Sequence, residues 1–129
     1  KINNISNVSA KNEIIGVSSY ELTIGEDNTK KKKKKSSTVN NSNVNLIDIL
    51  KSKNIDSDFV LISDIEGAEY FVLFESNAAV FENCSLMIME LHDIEIDGKL
   101  ITPEIMISKI KDLGFTIVGQ YAGNVVAKK

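Results

Sequence analysis

Two short apolar runs constrain what this chain can fold into. The first is Phe59-Val60-Leu61-Ile62-Ser63 and the second is Leu86-Met87-Ile88-Met89. Neither alternates apolar with polar, and a run of this length without alternation reads as a strand covered on both faces, as in a parallel sheet. Each run also ends in ionisable residues. Asp64-Ile65-Glu66-Gly67-Ala68-Glu69 follows the first, and Glu90-Leu91-His92-Asp93 closes the second. Ligands of open α/β sheets bind just outside the carboxyl ends of the strands. The two features that define the sheet therefore also mark a candidate site.

The rest of the chain supplies the connections. Phe71, Phe74 and Ala78 recur at helical spacing, which predicts a helix within 67–81. Asp97-Gly98 predicts a turn. Thr102 is placed to cap a second helix with Pro103 at its first position, Ile105, Met106, Ile110 and Leu113 on its apolar face, and Gly114 as its stop. Residues 115–121 and 124–127 read as strands joined by a turn at Ala122-Gly123 or Gly123-Asn124. The order strand, helix, strand, helix, strand, strand predicts a right-handed, mostly parallel α/β sheet with one antiparallel strand at its edge. Upstream, 8–17 reads as a strand, 20–24 as a half-exposed strand, and 45–51 as a short helix.

The chain has 129 residues, the size of one domain, and 43% of them are apolar, enough for a core. No apolar stretch approaches the ~18 residues of a membrane span. All 15 basic residues are lysines, and six of them form Lys30 to Lys35. Six like charges in a row repel one another, so 30–43 is expected to be a flexible, Lys-rich and polar loop. Outside that run 9 lysines face 18 acidic residues, a balance of −9. Such an acidic surface weighs against nucleic acid as a partner. Cys84 is the one cysteine and has Phe81, Leu86 and Met87 around it, which reads as a buried, inert thiol in a reducing, cytoplasmic setting.

Side chains two apart on a strand share a face. If the strands extend far enough, Asp64 and Glu66 come from the first, and Glu90 and His92 from the second, to meet above the sheet edge. A histidine beside carboxylates is a general base near neutral pH, and the same set is a donor set for a divalent cation. Plainer roles compete. Asp64 or Glu66 suits a helix cap, Gly67 an unusual backbone angle, and Glu69 compensation of a helix dipole. Asp93, Glu95 and Asp97 read as solvated loop acids.

Asp64-Ile65-Glu66-Gly67-Ala68-Glu69 resembles the D-V-E-G-A-E signature of the FkbM family of S-adenosylmethionine-dependent methyltransferases. Val72-Leu73 matches the apolar helix that follows in that family, Glu90-Leu91-His92 its strand ending in E-L-H, and Val44-Asn45-Leu46-Ile47-Asp48-Ile49-Leu50 its T-L-D-D-L-L segment. The likeness covers about 44–115. Ile62 stands where the family usually has lysine and Ser63 where it has an apolar residue. The family's Gly-rich cofactor turn has no counterpart here, because Gly16 and Gly25 are isolated.

The resemblance implies the carboxyl-terminal part of one methyltransferase domain across 1–129. It implies a partial Rossmann-like class I sheet without its first strands, and O-methylation of a sugar or natural-product hydroxyl. Asp64, Glu90 and His92 are then the catalytic candidates, and Asp64, Glu66 and Glu13 the cofactor-binding ones. S-adenosylmethionine is the implied cofactor and a divalent metal a second candidate. Two alternatives stay open: a non-catalytic α/β interaction module, or another Rossmann-like nucleotide-binding domain. Strands missing beside 59–63 would leave an apolar edge, so self-association is also expected.

Overall fold

The structure is a computed structural model and describes residues 45–129. The expectations for 8–17, 20–24, 30–43 and Glu13 lie outside the described residues.

Helix α1 (Leu46–Ser52) starts where Asn45 caps it, the Asn45 side chain accepting the Asp48 N–H at 3.0 Å. Strand β1 (Phe59–Ser63) follows and pairs in parallel with β2 (Cys84–Glu90), Ile62 opposite Ile88 and Ser63 opposite Met89. The predicted parallel pair is thus present. Strands β3 (Ile94–Ile96) and β4 (Lys99–Ile101) form a separate small hairpin. Helix α2 (Pro103–Asp112), β5 (Thr116–Tyr121) and β6 (Asn124–Lys128) complete the chain. The main sheet has the order β1-β2-β6-β5.

The antiparallel strand is not at the edge, as the sequence order had predicted. It is β6, and it lies between β2 and β5. Burial explains the choice. Val125 and Ala127 of β6 are almost wholly enclosed, whereas Thr116, Gln120 and Tyr121 of β5 face water. The more apolar strand takes the interior and the more polar one the rim. Ala122 and Gly123 both have positive φ, the geometry of a tight two-residue hairpin turn.

One face of the sheet carries the core. Met87, Met89, Val125 and Ala127 pack in a single cluster with Leu73 and Phe81 from the β1–β2 connection and Met106 and Ile110 of α2. The opposite face bears Val60 and Ile62, 51% and 72% exposed, beside half-buried Leu86, Ile88 and Val126. The apolar runs are therefore covered on one face only among the described residues, and not on both.

The helix predicted within 67–81 is broken. Phe71–Glu75 is a single π-helical turn and Ala78–Phe81 a 3₁₀ turn. Ser76 is extended, and the Asn77 side chain accepts the Ala79 N–H at 3.0 Å. Short polar side chains offer the backbone this alternative to a continuing helix. Tyr70 stacks on Phe74, one helical turn on, at 4.8 Å. Hairpin β3–β4 was not predicted beyond its turn; Asp97 and Gly98 are both at positive φ, as such a turn requires. Thr102 occupies the cap position of α2, but its hydroxyl donates to the Glu104 carboxylate at 2.6 Å and makes no capping bond to the backbone. Among the described residues no helix is long and apolar enough to cross a membrane.

Candidate functional site at the carboxyl ends of β1 and β2

β1 ends at Ser63, and the chain must turn sharply to enter the π-helical segment. Glu66 at φ 54° and Gly67 at φ 98° make that turn. At Gly67 the constraint is the backbone angle, because an added Cβ would meet Ile94 only at 3.6 Å, an ordinary contact. Glu69 fastens the turn from below. Its Oε1 accepts the Ile65 N–H at 2.7 Å, and its Oε2 accepts the Gly67 N–H at 2.8 Å. The residue is completely buried. Two short bonds to a carboxylate satisfy backbone donors that the turn leaves without partners, and they offset the cost of enclosing the acid. With the backbone so held, Asp64 and Glu66 stand out in solvent.

β2 is fixed from the other side. Leu91 donates its N–H to the Gly123 carbonyl at 3.0 Å, and a Cβ on Gly123 would come within 3.2 Å of the Leu91 carbonyl oxygen. The β5–β6 turn therefore touches the backbone immediately before His92. The His92 side chain is 28% exposed and lies between two acids, its Nε2 3.7 Å from Glu66 Oε2 and its Nδ1 3.6 Å from Glu69 Oε2.

Asp64, Glu66 and His92 each offer one ligand atom, and these atoms lie within 4.8 Å of one another. The sequence expectation that strand-end acids and His92 converge is met by three of its four members. Glu90 is not in this group. It ends β2 on the alternation of Leu86 and Ile88, the open face of the sheet, opposite Asn124. Extended-strand parity stops at Ser63 and Glu90, so it no longer governs Asp64, Glu66 or His92. The turn geometry places them instead. Asp93, Glu95 and Asp97 are exposed, as expected.

The donor set fits a divalent cation. A nitrogen donor beside two carboxylates suits a Zn²⁺-like cation, whose ligands at ~2.0–2.2 Å span at most about 4.4 Å, rather than Mg²⁺ or Ca²⁺, which take oxygen ligands. Two exposed carboxylates can close the small remaining gap by rotating. Without a metal the same arrangement presents an imidazole nitrogen beside two acids, the makings of a proton acceptor.

Cys84 is fully buried, and that burial pushes its thiol above the ordinary range. This agrees with an inert cysteine. Glu69 is the residue that sequence reasoning undervalued. It opens the helical segment, as helix-dipole compensation requires, and its carboxylate also serves the turn and faces His92. Its position two residues after a glycine was visible; its burial was not.

No protein-family model matches this chain, and comparison with curated proteins and with solved structures gives no match.

Proposed function

We propose that this chain forms the carboxyl-terminal part of a class I S-adenosylmethionine-dependent methyltransferase, and that Asp64, Glu66 and His92 are its reactive edge. The observation that carries the reading is the convergence of these three side chains at the carboxyl ends of two adjacent parallel strands, within 4.8 Å of one another. That is where an α/β sheet receives its ligands. The mixed sheet, with its antiparallel carboxyl-terminal hairpin, is of the kind that the FkbM resemblance implies.

S-adenosylmethionine supplies the methyl group when bound, and exposed acids at a strand end suit its cationic groups. The chain's own residues deal with the acceptor. His92 Nε2 takes the proton that an acceptor hydroxyl loses. Asp64 and Glu66 orient that hydroxyl; were a divalent cation held by all three side chains instead, His92 Nε2 would be its ligand and not the base, and the cation would make the hydroxyl easier to deprotonate. Methylation of a sugar or natural-product hydroxyl is the reaction these groups support.

The test is transfer of an isotopically labelled methyl group from S-adenosylmethionine to a panel of sugar and natural-product alcohols by a complete enzyme that joins this chain to a Gly-rich cofactor turn, with and without a chelator. Labelled ether product is expected. Loss of product on chelation selects the metal-assisted form, and its persistence selects the plain base. An absence of labelled product across the panel, with the folded protein and the cofactor both at high concentration, contradicts the proposal.

A further inference from the structure

The one histidine of the chain is held between a buried acid and an exposed one, and the two are not equivalent. Glu66 is 86% exposed, so water screens its charge and competes for its hydrogen bonds. Glu69 is wholly enclosed and fixed by two backbone N–H donors, so it cannot turn away. His92 Nδ1 is itself buried and has no hydrogen-bond partner among the described residues, and the Glu69 oxygen lies 3.6 Å from it. That separation exceeds the ~2.7–3.2 Å of an N–H···O hydrogen bond, so the two atoms are close neighbours and not bonded as they stand. Such contacts commonly shorten when a site is occupied.

Only one arrangement of the neutral ring is comfortable here. A lone pair on Nδ1 would leave this buried nitrogen and a buried carboxylate oxygen as two acceptors 3.6 Å apart. A proton on Nδ1 converts the same contact into an attraction to a fixed anion, in a setting where an unpaired polar atom is costly. The nitrogen that carries the proton is set by the bond available to the other one.

We propose that Glu69 is a positioning residue. It holds neutral His92 as the Nδ1–H tautomer, and so dedicates the Nε2 lone pair to the mouth shared with Asp64 and Glu66. Glu69 touches neither acceptor nor cofactor; it acts through the ring. The consequence for catalysis rests on the methyltransferase reading above, but the tautomer does not. A base or a metal ligand at Nε2 needs that nitrogen unprotonated, so Glu69 keeps the ring ready for either role.

Nitrogen-15 spectra of labelled protein test this without substrate, cofactor or metal, and a single histidine leaves no ambiguity of assignment. At a pH where the ring is neutral, wild-type protein is expected to show the pyrrole-type signal on Nδ1 and the pyridine-type signal on Nε2, the Nδ1–H form favoured by roughly tenfold or more. Glu69→Ala is expected to bring the population back towards Nε2–H, the form a free imidazole side chain prefers. Wild-type protein with Nε2–H in the majority overturns the proposal, as does an unchanged Nδ1–H majority in folded Glu69→Ala. If that variant does not fold, the wild-type spectrum decides alone. A protein with the expected tautomer but no methyl transfer retains the Glu69–His92 pairing and refutes only the reaction.

Discussion

Glu69→Gln isolates what the buried carboxylate does for the fold. Wild-type Glu69 satisfies two backbone donors with two oxygens, at 2.7 and 2.8 Å. Glutamine keeps one oxygen and puts an NH₂ group where the other stood, so one backbone N–H faces a second donor. The lost charge-assisted bond is worth about 1.5–3 kcal/mol, and the orphaned donor costs a further ~1–3 kcal/mol. A neutral amide is easier to bury than a carboxylate, which returns part of this. The net expectation is a loss of about 2–4 kcal/mol from a domain stability that is typically about 5–15 kcal/mol. Equilibrium unfolding in urea reads it directly. With a slope of ~1–2 kcal/mol/M the midpoint falls by about 1–4 M. Glu66→Gln, at an 86% exposed side chain, is the control and is expected to stay within about 0.5 kcal/mol of wild type. If both variants unfold at the same midpoint, Glu69 does not hold the turn and the description of the site's foundation is wrong.

Three further outcomes follow from individual contacts. The Thr102 hydroxyl bond to Glu104, helped by the Glu104 backbone N–H, holds this carboxyl below the usual glutamate range. Its small stabilising contribution is therefore present above the ordinary glutamate pKa and is lost as pH falls through the depressed folded value; Thr102→Val should return the Glu104 titration, followed by carbon-13 shifts, towards normal. Cys84, enclosed and with its thiol pushed up, is expected to resist alkylation near neutral pH in the native state and to react at once in urea; rapid native labelling would contradict its burial. The open sheet face around Val60 and Ile62 is expected to make the protein self-associate. Ile62→Lys should shift sedimentation towards monomer, and a wild-type monomer at high concentration would show that this face is tolerated bare.

The sheet was largely legible in the sequence because its strands are short, apolar and bounded by turn residues. Phe59–Ser63 pairs in parallel with its neighbour as the unalternating runs had implied. The positions of β5 and β6 were also legible, but their order in the sheet was not. That order depends on which strand buries more apolar surface against β2, a tertiary property. The break after Glu75 escaped notice because Phe71, Phe74 and Ala78 keep helical spacing through it, while Ser76 and Asn77 redirect the backbone locally. At the site, Asp64, Glu66 and His92 were identified from residue type at strand ends. Their convergence was reached by a different route from the one expected. Strand parity grouped Glu90 with them, but the positive φ angles of Glu66 and Gly67 begin after the strand has ended, and no alternation rule applies there. The role of Glu69 needed knowledge of burial, which no spacing supplies.

The central claim is that the Asp64, Glu66 and His92 edge carries methyl transfer. The most direct measurement is turnover of labelled S-adenosylmethionine by His92→Ala in a complete enzyme that carries the Gly-rich cofactor turn, beside its unfolding midpoint. The account predicts a fall of roughly 10²–10⁴-fold, the usual contribution of a positioned base, with the folded state preserved and cofactor affinity little changed. Asp64→Asn is predicted to cut turnover in the same way at near-normal stability, whereas a mere cap would cost about 1 kcal/mol of stability and leave turnover intact. Wild-type turnover in both variants would contradict the account and return these residues to a structural role at the turn.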